Sequence, residues 1–164
     1  MPTTFPTRVT AHPGLPFVDI ERELDAPRDL VFRAYTEPEL LAQWLGPRRL
    51  TTTIERYEVR DGGRWQYTSH DGDGNAYGFH GVFHGEQTPE RMTQTFEFDG
   101  APGMVALDTL VLEDHGDRTI VRTHSVYPSL AARDGMVAGG MEQGVSEGMD
   151  RLTELLERLK AERR

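Results

Sequence analysis

Between Leu50 and Tyr127 the chain holds almost nothing but short β-type runs, and it offers a single long helix to cover them. The runs are rich in Thr, Val, Ile, Phe and Tyr. Turn signals separate them: Asp61-Gly62-Gly63, Asp71-Gly72-Asp73-Gly74-Asn75, Thr88-Pro89-Glu90, Asp99-Gly100-Ala101-Pro102-Gly103 and His115-Gly116-Asp117. Their spacing of roughly ten to thirteen residues predicts six strands in an antiparallel meander. Phe17 to Leu24 alternates apolar and charged residues and adds a seventh strand. One helix cannot cover a flat sheet of that width, so the sheet must curl around it. The expected class is α+β: a curved seven-stranded antiparallel sheet wrapped around a long C-terminal helix. Two short helices between the first and second strands close one end.

The helix itself is unusual. From Gly140 to Lys160 the residues Met141, Val145, Met149, Leu152, Leu155, Leu156 and Leu159 recur at three- and four-residue steps, which puts them on one face. Yet Gly139, Gly140, Gly144 and Gly148 lie in or just before its first two turns, and each interior glycine costs roughly 1 kcal/mol against alanine. Two physical reasons fit: a neighbouring backbone comes very close, or side chains are missing to leave a hollow.

Composition removes several classes of function. A net charge of −9, from 27 acidic and 18 basic residues, argues against nucleic-acid and anionic-membrane partners. Cysteine is absent, so disulfides, thiolate catalysis and Cys-based metal sites are excluded. The first sixteen residues carry Pro2, Pro6, Pro13 and Pro16 without an apolar run, unlike a signal peptide or membrane span. The expected setting is cytoplasmic. Residues 1–15 read as a flexible N-terminal arm and 16–164 as one domain. Asp25-Ala26-Pro27 opens the first short helix, and Thr36-Glu37-Pro38-Glu39 matches a capping box opening the second. After Ser129 a helical stretch is expected, broken near Gly135 and again near Gly139–Gly140.

Several motifs now carry a likeness. Asp25-Ala26-Pro27, Val31 to Leu40 and Trp44-Leu45-Gly46-Pro47 resemble the opening of the START/SRPBCC helix-grip superfamily. The branch is the one similar to the C-terminal domain of the heat-shock protein 90 ATPase activator. Arg60 to Trp65, Gly81-Val82-Phe83 with Thr88 to Met92, and Gly144 with Met149 to Leu152 and Leu155-Leu156 follow in the expected order. The resemblance spans about residues 17 to 160 and implies the helix-grip fold. Its members include lipid binders, cyclases, hydrolases, receptors and co-chaperones, so it leaves function open. Two departures stand out. The eukaryotic activators carry a separate N-terminal domain, which is not expected in these 164 residues. The usual Trp near the start of the last helix is also missing, that segment reading Gln143-Gly144-Val145-Ser146.

The candidate chemistry is sparse. His80 and His84 are four apart, but on a strand that spacing separates side chains by roughly 13 Å, too far for one metal. No metal site and no cofactor are expected. No motif assigns a catalytic residue; the groups that could serve as acid or base are His124, Asp108 and His80. Met104 to Leu112 is apolar on both strand phases, so the direction of Asp108 is open. The aromatic residues are more informative. Trp44, Trp65, Tyr67, Tyr77, Phe79 and Phe96, set against Met141 and Val145, are the expected lining of a cleft between sheet and helix. The expected function is binding of a small hydrophobic or amphipathic molecule there. A cyclase/aromatase-like or hydrolase-like enzyme, and a protein that activates a chaperone ATPase, remain the alternatives. The charged helix faces also permit a homodimer.

Overall fold

A computed structural model describes residues 5–163. The strands are β1 (Thr7–Thr10), β2 (Phe17–Leu24), β3 (Thr51–Tyr57), β4 (Arg64–His70), β5 (Ala76–Val82), β6 (Met92–Phe98), β7 (Ala106–His115) and β8 (Arg118–Val126). The helices are α1 (Arg28–Thr36), α2 (Pro38–Leu41), α3 (Leu130–Ala138) and α4 (Met141–Arg163). The architecture is the expected α+β helix grip, a curved open antiparallel sheet ordered β1-β2-β8-β7-β6-β5-β4-β3 around α4. Among the described residues the sheet has eight strands rather than seven. The extra one, β1, lies in the segment read as a loose arm and pairs antiparallel with β2 from Thr7↔Arg22 to Thr10↔Asp19. Residues 1–4 of that arm, and Arg164, lie outside the described residues.

Alternation decides which face of each strand is buried. On β2, Val18, Ile20, Arg22 and Leu24 point inward. Arg22 is an arginine on the core phase, and it is almost fully buried. Its guanidinium donates to Asp150 Oδ1 at 3.0 Å, Thr7 Oγ1 at 2.6 Å and Thr153 Oγ1 at 3.3 Å. It thereby ties β1, β2 and α4 together. A buried cation persists only with such partners.

The long helix divides at Gly148. Beyond it, Met149, Leu152, Leu155, Leu156 and Leu159 pack on Leu24, Leu30, Val31, Leu41, Trp44, Leu112 and Val121 in the main core. Each fully buried side chain of this kind stabilises the fold by about 1.5–3 kcal/mol. Before it, Met141 and Val145 join a smaller cluster with Val18, Ile20, Ala106, Tyr127 and Phe96.

Both readings of the glycines hold, at different positions. A Cβ on Gly148 would meet Trp44 O at 3.4 Å and Gly46 N at 3.5 Å, so there the α2–β3 loop presses on the helix. A Cβ on Gly144 would meet only Pro47 Cδ at 3.8 Å. Gly140, at φ +88°, makes the break between α3 and α4. Gly135 does not break α3, which runs through it. The expected capping box does not form: Thr36 ends α1 with its hydroxyl donating back to Phe32 O at 2.7 Å, and α2 starts without a side-chain cap. Proline at its first position supplies the helical φ instead. Among the described residues no helix is long and apolar enough to cross a membrane.

Candidate functional site

Between the concave sheet face and α1, α3 and α4 lies a cavity of about 390 Å3. At roughly 30 Å3 per water it has room for on the order of a dozen. Voids inside native cores rarely exceed a single water, so this space is larger than an ordinary packing defect.

The floor is aromatic. Trp65 and Tyr67 on β4, Phe79 on β5 and Phe96 on β6 form a closed ring of neighbours with centroids 5.1–5.8 Å apart. Trp65 lies over Gly81, its cross-strand partner. Any Cβ on Gly81 would stand 2.5 Å from Trp65 Nε1 and 2.0 Å from Thr95 O. Only glycine admits both the indole and the neighbouring strand.

The roof is flexible thioether and helix backbone. Met136 of α3 and Met141, Gly144, Val145, Gly148 and Met149 of α4 face the space. The Tyr127 hydroxyl lies 3.9 Å from Met141 Sδ. At one end Leu45, Gly46 and Pro47 complete the wall. Arg151 holds that loop against α4, donating to Gly46 O at 3.0 Å and Gln43 O at 3.0 Å. Trp44 donates its indole N–H to Ala34 O at 3.0 Å and packs edge-on against Tyr35 at 4.8 Å, so it is a fixed part of this wall.

One polar row crosses the floor. Gln94 pairs with Asp108, and Asp108 with Ser125, across β6, β7 and β8. Directly paired residues share a sheet face, and all three side chains line the cavity. Among the described lining residues, Asp108 is the only one bearing a formal charge; no Lys, Arg or His joins it. Burial pushes its carboxyl up to about 6, and hydrogen bonding to Ser125 pulls partly the other way. Burial, reinforced by the charge of Asp108, also raises the Tyr67 and Tyr127 phenols, the latter to about 12.

Seven of the expected lining residues therefore meet in one place: Trp44, Trp65, Tyr67, Phe79, Phe96, Met141 and Val145. Tyr77 does not. It sits at the β4–β5 hairpin end with its hydroxyl 3.4 Å from Asp71 Oδ2. Of the candidate acid–base groups, only Asp108 points inward. His124 lies on the outer phase of β8, 2.6 Å from Asp19 Oδ1. His80 lies on the outer phase of β5, 2.7 Å from Asp99 Oδ1. Both are corrected to surface residues hydrogen-bonded to carboxylates, because alternation turns them away whenever Ser125 and Phe79 face in. Gln94, Ser125, Tyr35 and Tyr127 were missed. Only the strand register places the first two beside Asp108. Among the described residues no group of three His, Asp or Glu side chains could hold a metal ion.

A sequence profile described as "Activator of Hsp90 ATPase homolog 1-like protein" matches residues 25–157. The chain belongs to this family. Membership in the Activator of Hsp90 ATPase homolog 1-like family, within the SRPBCC superfamily, agrees with the helix-grip architecture. Solved structures repeat the fold. A protein from Rhodobacter sphaeroides superposes with TM-score 0.85 at 24% identity, covering 94% of this chain and 99% of its own. One from Arthrobacter aurescens gives 0.84 at 24% identity, covering 92% and 91%. Protein Ms6760 from Mycobacterium smegmatis gives 0.83 at 21% identity, covering 92% and 97%. At such identities the likeness is one of fold alone. No curated protein matches the chain.

Proposed function

We propose that this family member binds a small hydrophobic or amphipathic molecule between its sheet and α4. The observation that carries this reading is the space of about 390 Å3 walled by aromatic, Met and Val side chains. Its size and lining are those of small-molecule sites in general. An apolar void left empty forfeits dispersion contacts around its whole surface, and a ligand restores them. Native mass spectrometry of protein purified from its own host tests the reading, with Val145→Trp as a filled-cavity control. A co-purifying small molecule, lost in the control, is the expected result. Bare protein in both, together with no binding of a naphthalene dye by either, would sink it.

A second reading has one observation in its favour. Asp108 is an enclosed carboxyl raised to about 6, the kind of group that active sites use as a general acid or base, which would suit a cyclase-like or hydrolase-like enzyme. It lacks a second titrating partner with an ordinary acid or base range in the described lining, which places it behind simple binding. The family's own description supports a third, activation of a chaperone ATPase. Adding saturating protein to a cognate chaperone and finding ATP turnover unchanged would dismiss that reading.

A further inference from the structure

Asp108 poses a problem that the aromatic lining does not solve. A carboxylate enclosed among apolar groups is costly unless paired, and its described neighbours offer only neutral polar atoms. Gln94 on β6 and Ser125 on β8 flank it in one row. The remaining titratable groups around the space are the phenols Tyr35 on α1, Tyr57 on β3, Tyr67 on β4 and Tyr127 after β8. All four are shifted upward by burial, so Asp108 titrates alone below pH 8. From α3 and α4 only Met, Gly and Val side chains face it across the space.

A neutral ligand entering here would strip the carboxylate of its remaining water and return nothing. An anionic one would add repulsion. A protonated nitrogen would supply the missing countercharge, and the faces of the surrounding aromatic rings favour a cation as well. Building on the small-molecule reading above, we infer that the cavity selects a hydrophobic molecule bearing one protonated amine. The ammonium seats on the Asp108 carboxylate, with Gln94 Oε1 and Ser125 Oγ as acceptors for its other N–H groups, and the hydrophobic body lies on the Trp65–Tyr67–Phe79–Phe96 ring. A primary ammonium has three donors, one for each member of the row.

Three probes on one ring system test this: 2-naphthylmethylamine, 2-naphthylmethanol and 2-naphthoic acid, titrated calorimetrically into the full chain at pH 7.5 and pH 5. Charge-assisted hydrogen bonds are roughly twice as strong as neutral ones, so the amine should bind about tenfold or more tighter than the alcohol at pH 7.5, with the acid weakest. The sign of the pH effect follows from the carboxyl, raised to about 6. Below that value it is protonated, and the amine's advantage should shrink to about threefold or less at pH 5. Asp108→Asn should erase the advantage at both pH values, bringing the amine's affinity to that of the alcohol. The wild-type pH comparison needs no variant and stands even if that substitution perturbs folding. An alcohol or acid that binds as tightly as the amine at pH 7.5, or an amine advantage that stays near its pH 7.5 size at pH 5 or in D108N, overturns the inference alone. Failure of all three probes to bind overturns the small-molecule reading and this inference with it.

Discussion

Replacing Asp108 by Asn should stabilise the protein at neutral pH and do little at acid pH. The carboxyl titrates near 6 in the folded chain against a reference of 3.8, a difference caused first by burial. Because the folded pKa is the higher one, the folded state holds more protons than the unfolded state between about pH 4 and pH 6, and stability falls as pH rises through that window. Above it, the ionised carboxylate carries its full penalty. Roughly two pKa units at 1.36 kcal/mol each set a ceiling of ~3 kcal/mol. Water admitted to the cavity lowers this, so roughly 1–3 kcal/mol is expected. Asp29, Glu58, Asp71, Glu113, Glu147 and Glu154 are shifted the opposite way by their hydrogen bonds and cations, and they favour the folded state at higher pH. Both proteins share them, so they cancel in the difference. Urea unfolding of wild type and D108N at pH 4, 5, 6 and 7.5 gives that difference directly. For a chain of this size each kcal/mol also moves Tm by about 2–4 °C. A stability gap that stays constant from pH 4 to pH 7.5 would refute the claim that the carboxyl is buried and unpaired.

Other expectations rest on backbone contacts. Gly81→Ala should destabilise by more than about 3 kcal/mol, since its Cβ would stand 2.0 Å from Thr95 O; a normal melting curve would contradict the packing. Gly144→Ala should raise stability by about 0.5–1 kcal/mol through helix propensity, whereas Gly148→Val should lower it by about 2 kcal/mol against the Trp44 and Gly46 backbone. Equal responses in denaturant titrations would show that the two glycines serve one purpose. Arg151→Ala removes the donor to Gln43, Gly46 and Pro47 carbonyls, and faster amide exchange across residues 43–47 is the expected readout.

Much of this was legible from the chain because turns and periodicity are local. The turn signals placed six strands, and the three- and four-residue steps placed α4. Phase was harder. In β7 both faces are apolar, so the inward direction of Asp108 becomes visible only through pairing with Gln94 and Ser125. Register is a property of partner strands, which no single segment encodes. The same alternation that turned Ser125 inward sent His124 outward. β1 escaped because four residues of weak pattern gain their hydrogen bonds only from a neighbouring edge. The Thr36 motif promised a cap, but α1 runs to that residue and takes its hydroxyl for a carbonyl one turn back. Arg22 would pass for a surface residue in any alternating strand until Asp150 and Thr153 arrive from the far end of the chain.

The division of α4 at Gly148 has a kinetic meaning. The turns before it carry the roof of the cavity, while the side chains after it anchor the helix in the main core. Unwinding from Met141 to Ser146 would expose the cavity and leave Leu152, Leu155 and Leu156 in place. Helical glycines make that partial melting cheap. Guest residence time should then follow the local opening rate of two helical turns rather than the unfolding rate of the molecule. Amide exchange at Val145 and Ser146 that slowed no more than exchange at Leu155 on adding ligand would show that molecules leave by another route.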